Sequence, residues 1–409
     1  QQFQPAILDT WLGKDGKKLA KLALNERQLI EKVIYDYPQA IQAIEPEYGF
    51  HFDQPDYPLI DETDRFYLYQ VLPNTPDVKC RKQGKPILII PPYVLGANIL
   101  AFLPGEDKSY VHSYANQGIP TYIRIMKSID NTPAVQKLTG EDDTLDTRHF
   151  CRVLREKHQR PVTLNGFCQG GFVGILNMLT GKLDGLVDAL ITCVAPLDGT
   201  RSKSLVEYLQ HLPKRFRDLG YAIKKLSNGN RVVDGDVMSW VYKLKSMERE
   251  APLFTFYRDL VLLDRPGDKS FKISKTAAAI NYWLLYDRTD LPRHICQQSF
   301  DSFTIPVSPD GTLPITLFNR SLNFKRLNQK GIRFLICYAE KDDLVDKEAA
   351  LAPLDYIDAE VTVFPKGHGA IATSWSHPKS ECALHTRFGN NYRGPVRFQL
   401  DLENESQGG

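Results

Sequence analysis

The sequence predicts an α/β protein in which a mostly parallel sheet carries helices on both faces and one long insertion breaks the rhythm. Three observations lead there. Short β-branched and aliphatic runs alternate with helical patterns, first across residues 56–198 and again across 329–400. At one junction a strand, a one-residue bend and a helix follow each other with no loop, in Pro161-Val-Thr-Leu-Asn-Gly166-Phe-Cys168-Gln-Gly170-Gly171. Between the two alternating stretches, residues 199–328 carry charged, aromatic-rich helical patterns and no strand–helix alternation.

Taken in chain order, residues 1–55 read as an N-terminal helical segment. Ile7, Trp11, Leu19, Leu22, Leu24, Leu29, Ile30, Val33 and Ile34 give it an amphipathic face that packs on the domain or on a partner. Arg65-Phe-Tyr-Leu-Tyr-Gln-Val71 reads as an early antiparallel strand. Residues 86–90 and 121–125 are buried strands, with a helix over 108–117 between them. A helix over 144–157 precedes the strand that ends at the bend, and 189–195 is the next strand. Within the insertion, 204–222 and 236–247 have helical patterns. Strands return at 332–339 and 361–364, and residues 401–409 read as a disordered tail.

The bend is a nucleophile elbow, the hallmark of α/β-hydrolases, with Cys168 where Ser usually stands. The nucleophile in such a bend holds a strained backbone costing roughly 1–3 kcal/mol. Side chains two positions either side would collide, which explains Gly166 and Gly170; Gly171 follows them. The helix N-terminus then faces the sulfur and favours a thiolate and a developing oxyanion. The bland alternative is a buried structural Cys beside a tight turn.

In this fold the acid and the base follow the nucleophile in that order. Glu340-Lys-Asp342-Asp343-Leu344-Val345 comes just past the strand over 332–339, and Pro365-Lys-Gly367-His368-Gly369 just past the strand over 361–364. Asp342 is the preferred acid, from its spacing to the Leu344-Val345 pair, with Asp343 pointing to solvent. Asp342 would orient the ring, His368 would take the thiol proton and Cys168 would attack. The first oxyanion donor is the backbone N–H of Gln169. The second comes from Tyr93 or Val94, because Pro91 and Pro92 have none. The insertion at 199–328 is expected as a cap domain over this site.

Composition excludes several classes. A length of 409 residues leaves room for one large α/β domain and an insertion. Hydrophobic content of 42% and charged content of 24% are those of an ordinary globular chain. A formal net charge of +2, with no basic stripe, points away from nucleic acid. Seven Cys, an odd number without short-spaced pairs, predict reduced thiols and a cytoplasmic setting. The longest apolar stretch, 86–104, holds four prolines and breaks at Pro91-Pro92, so no transmembrane segment is expected. The nine His show no close pairing, and His377 and His385 near Cys382 are incidental, so no metal is expected. No signal peptide is visible after Gln1.

These residues resemble the polyhydroxyalkanoate synthases, which look like lipases with Cys in a Gly-x-Cys-x-Gly-Gly elbow. Gly166 to Gly171 fits that motif, Pro91-Pro92-Tyr93-Val94 fits the family's oxyanion loop, and Ile99-Leu-Ala-Phe-Leu-Pro104-Gly-Glu106 fits the run after it. Asn116-Gln117-Gly118, Val232-Val-Asp234-Gly-Asp-Val-Met238-Ser-Trp240 and Asp287-Arg-Thr289-Asp-Leu291-Pro292 match further segments, and the resemblance spans roughly residues 60–375. The chain departs from the pattern at Asp343, where the family has His. It departs again at Ile125-Met-Lys-Ser-Ile-Asp130, and at Trp283, one position from the family's cap Trp.

The resemblance implies an acyltransferase that polymerises (R)-3-hydroxyacyl-CoA through a Cys168 thioester, with CoA released and no cofactor besides the acyl-CoA substrate. It further implies a growing polyester chain as partner and a place at the surface of polyester granules. A homodimer and an accessory synthase subunit are both compatible with it. Two alternatives stay open. One is a Cys-dependent thioesterase or dienelactone-type hydrolase, which shares the elbow and the triad order. The other is a non-catalytic relative that binds granules or a partner.

Overall fold

The computed structural model describes residues 30–203, 219–238 and 274–373, with a few single positions outside them. Two compact units divide the chain, Gln1–Tyr48 with Tyr242–Asp287, and Gly49–Val241 with Arg288–Gly409. In the first, helix α1 (Tyr37–Ala43) packs on a later helix (Lys275–Leu285). Tyr48 Oη donates to Asp287 at 2.9 Å, and Asn281 donates to Tyr37 Oη at 2.5 Å. Most of the N-terminal apolar positions, the tail at 401–409, and His377, Cys382 and His385 lie outside the described residues.

The second unit is built on an eight-stranded sheet. Its strands are β1 (Leu59–Glu62), β2 (Phe66–Val71), β3 (Ile87–Ile90), β4 (Thr121–Met126), β5 (Val162–Phe167) and β6 (Val187–Cys193), then β11 (Arg333–Ala339) and β12 (Glu360–Phe364). Two hairpins outside the sheet supply β7 (Ile223–Lys225) with β8 (Arg231–Val233), and β9 (Thr312–Leu317) with β10 (Arg320–Asn323). The sheet order is β1-β2-β4-β3-β5-β6-β11-β12. Pairing is antiparallel at β1–β2 and β2–β4 and parallel from β4 to β12. This is the α/β-hydrolase fold, with an antiparallel edge on a parallel sheet.

Sequence explains the placement. Every residue of β3 and β5 is buried, as strands covered on both faces must be. Helix α2 (Tyr110–Ala115) is shorter than the run over 108–117 suggests. Helix α3 (Gly140–His158) begins earlier than 144, because Thr139 caps it. Its hydroxyl accepts the Asp142 N–H, and Asp142 accepts the Thr139 N–H in return. Helix α4 (Gln169–Leu179) is buried on all sides, which suits its apolar run.

The insertion carries strands besides the helical patterns expected of it. Beside helices α5 (Lys275–Leu285) and α6 (Arg293–Thr304) it contains both hairpins. The helical pattern over 204–222 ends in a 3-10 turn at Leu219–Ala222 that leads into β7, and the rest of it lies largely outside the described residues. Residues 236–247 are described only as far as Met238. Of the stretch 199–328, residues 242–287 belong to the first unit and the remainder to the second. No described helix is long and apolar enough to cross a membrane.

Candidate active site

β5 delivers Cys168 at the C-terminal end of the parallel sheet, where open α/β sheets place their sites. Cys168 has φ +52° and ψ −123°, a conformation that a side chain other than Gly adopts only when its surroundings enforce it. Those surroundings are backbone. The Cys168 N–H donates to Cys193 O at 2.7 Å, and Gly171 N–H donates to Cys168 O at 2.9 Å. A Cβ on Gly166 would fall on Gly170 O and the Gly171 backbone, and one on Gly170 would fall on Ile90 O. At Gly171 it would meet Ala195 Cβ at 2.6 Å. The three glycines therefore let α4 close onto β3 and β6. Cys168 is 7% exposed at the head of α4.

β11 and β12 bring up the other two side chains. Glu340 N–H donates to Phe364 O and Lys341 N–H to Lys366 O, at 2.7 and 3.1 Å, so the two post-strand loops are tied together. Across that tie His368 Nδ1 lies 2.8 Å from Asp342 Oδ2. Asp342 Oδ1 accepts the N–H groups of Leu344 and Val345 at 2.9 Å each. The Asp342 side chain is 1% exposed, whereas Asp343 is exposed. The His368 ring packs edge-on against Phe167, with centroids 5.9 Å apart.

His368 Nε2 is buried and makes no well-formed hydrogen bond among the described residues. Burial alone would lower the basicity of this ring. Negative charge on Cys168 and Asp342 outweighs burial and holds its pKa well above the ordinary histidine value. The ring therefore favours its charged, imidazolium form. Burial pushes the Cys151 and Cys296 thiols up to about 12 and raises Cys80.

The loop after β3 is held from two sides. Tyr93 Oη donates to Asp143 in the first turn of α3, and Val94 N–H donates to the Gln169 side chain at 2.9 Å. Gln169 in turn donates to Ser299 Oγ of α6 at 2.7 Å. The roles of Asp143, Ser299 and the Gln169 carboxamide escape the sequence reading. The one signal was a Gln opening a helix that is otherwise apolar or Gly over its first turns. Among the described residues no group of three or more His, Cys, Asp or Glu is placed to hold a metal ion.

No protein-family model matches the chain, and neither does any curated protein. Solved structures align over most of it at low identity. A carboxylesterase of the thaumarchaeon Nitrososphaera gargenis is 14% identical over 77% of this chain and 92% of its own, with a TM-score of 0.42. The esterase RhEst1 from Rhodococcus is 12% identical over 86% and 98%, with a TM-score of 0.40. The thioesterase domain from the curacin biosynthetic pathway is 11% identical over 77% and 94%, also with a TM-score of 0.40.

Proposed function

We propose that the protein is a cysteine-dependent acyl-transfer enzyme that opens a thioester and hands the acyl group to water. The observation that carries this reading is Cys168 held in a strained elbow at the head of α4, in one site with an imidazole whose Nδ1 lies 2.8 Å from Asp342. Thiolate attack on a thioester exchanges one thiol for another, so it is near-isoenergetic and suits Cys better than Ser.

The Cys168 thiolate adds to the carbonyl carbon, and backbone N–H groups receive the oxyanion. Collapse breaks the bond to the leaving sulfur, which takes the proton from His368 Nε2. The acyl group now sits on Cys168 as a thioester. Neutral His368 removes a proton from water as its oxygen attacks, and Asp342 stabilises the imidazolium that forms. Expulsion of the Cys168 thiolate frees the acid and restores the starting pair.

A second reading has its own support. Cys168 is 7% and His368 8% exposed, so water has little access. If water is shut out, the 3-hydroxyl of another (R)-3-hydroxyacyl group is the acceptor, and the product is a polyester, as the resemblance to the synthases implies.

The test is free-thiol release from 3-hydroxybutyryl-CoA, followed alongside mass spectrometry of the product. Release with free hydroxy acid, lost in Cys168→Ala, is expected. Release with oligomeric ester would transfer the assignment to the synthase reading. Release that survives Cys168→Ala would overturn both.

A further inference from the structure

Two consecutive N–H groups in the loop after β3 have different fates. Val94 N–H donates to Gln169 Oε1 at 2.9 Å. The N–H groups of Tyr93 and of Gln169 itself make no hydrogen bond among the described residues. Gln169 is 5% exposed, so its carboxamide has to find its partners inside the protein. It accepts from Val94 and donates to Ser299 Oγ at 2.7 Å.

We infer that the Gln169 carboxamide is a positioning group for the oxyanion hole, anchored by Ser299, which takes up Val94 N–H and leaves Tyr93 N–H and Gln169 N–H as the two donors. The inference rests on the reading of Cys168 as an acyl-transfer nucleophile. Binding Val94 N–H fixes the whole Tyr93–Val94 peptide plane. The Tyr93 side chain is fixed separately through its hydroxyl on Asp143. With both held, rotation about the Tyr93 backbone is restricted and its own N–H keeps one direction. Because Ser299 belongs to α6, the insertion between β6 and β11 sets the hole as well.

Two reactions at the same sulfur test this. Thioester acylation builds an oxyanion, whereas alkylation by iodoacetamide displaces iodide and builds none. Gln169→Met keeps the length and loses both hydrogen bonds. It is expected to lower kcat for thiol release from 3-hydroxybutyryl-CoA about 10- to 100-fold, somewhat less than outright loss of an oxyanion donor. KM and the alkylation rate of Cys168 should stay within about 2-fold, since binding and thiolate formation are untouched. Ser299→Ala should lose roughly 3- to 10-fold in kcat, the worth of one neutral hydrogen bond, and Ser299→Thr should recover it.

Unchanged acylation in Gln169→Met overturns the inference. Faster acylation in either variant overturns it too, and would make the carboxamide an occupant that substrate must displace. If Gln169→Met slows both reactions together, Ser299→Ala decides, and equal loss in both reactions there rejects the positioning role. Wild-type protein that alkylates at Cys168 yet releases no thiol would instead reject the acyl-transfer reading, and this inference with it.

Discussion

Asp342 divides its carboxylate between one imidazole and two backbone amides: Oδ2 lies 2.8 Å from His368 Nδ1, and Oδ1 accepts the Leu344 and Val345 N–H groups at 2.9 Å. The backbone bonds hold the carboxylate still, so His368 inherits a fixed ring plane and a fixed tautomer. Asp342→Asn preserves the shape and removes the charge. It is expected to lower thiol release from a thioester by about 10³- to 10⁴-fold, because the ring is left in the wrong tautomer. Asp343→Asn should stay within about 3-fold, as expected for an exposed side chain outside the pair. Equal losses in the two variants would remove Asp342 from the site.

The charge state of His368 gives a pH signature. Burial works against its proton, and negative charge on Cys168 and Asp342 more than restores it, so the folded pKa is raised. Titration followed by NMR of the ring should show a proton retained well above pH 6.5, the ordinary histidine value. Cys168→Ala should move that titration toward acid. A raised folded pKa contributes stability that is complete below about pH 6.5 and is lost as pH rises through the folded value. Urea unfolding across that window should therefore show stability declining with pH, with a smaller decline in His368→Gln. A ring that titrates below pH 6.5 in the wild type would refute the ion-pair arrangement.

How much of this was legible in the sequence depended on how local its cause is. The elbow was legible because its cause lies within a few residues: strain at Cys168 needs Gly166 and Gly170 beside it. The mostly parallel sheet followed from alternation, and the nearness of Asp342 to His368 followed from strand ends. The β9–β10 hairpin was missed because its two turn residues are Phe318 and Asn319, at φ +53° and +56°. Both are left-handed, as a tight hairpin requires, without the Asn-Gly pair that normally announces one. The β7–β8 strands are three residues each, too short for alternation to register. The choice between Tyr93 and Val94 stayed open for a different reason. It turns on a side chain 75 residues away from Val94, which binds a further one 130 residues beyond itself.

The other support of the loop after β3 is a buried ion pair, Arg124 with Asp143. Arg124 and Asp143 are 1% and 0% exposed, with Arg124 Nη2 and Asp143 Oδ2 2.6 Å apart. Tyr93 Oη donates to the same carboxylate oxygen, and Asn177 donates to the other at 2.7 Å. Burial opposes the charge on Arg124, and Asp143 and its neighbours reverse that, so the guanidinium stays charged in the core. Asp143→Ala leaves that charge without its partner, and the expected cost is about 3–5 kcal/mol. Replacing both members by apolar residues of similar volume, as in Arg124→Met with Asp143→Leu, should recover most of it, because neither charge is then stranded. Recovery should not extend to activity. The double variant still lacks the acceptor for Tyr93 Oη, so the loop after β3 is released at one of its two anchors and thiol release should remain depressed. Urea unfolding and the thioester assay on the same three proteins separate these effects. A cost below about 1 kcal/mol for Asp143→Ala would mean that water reaches the pair. Full activity in the double variant would mean that Tyr93 needs no anchor beyond its ring.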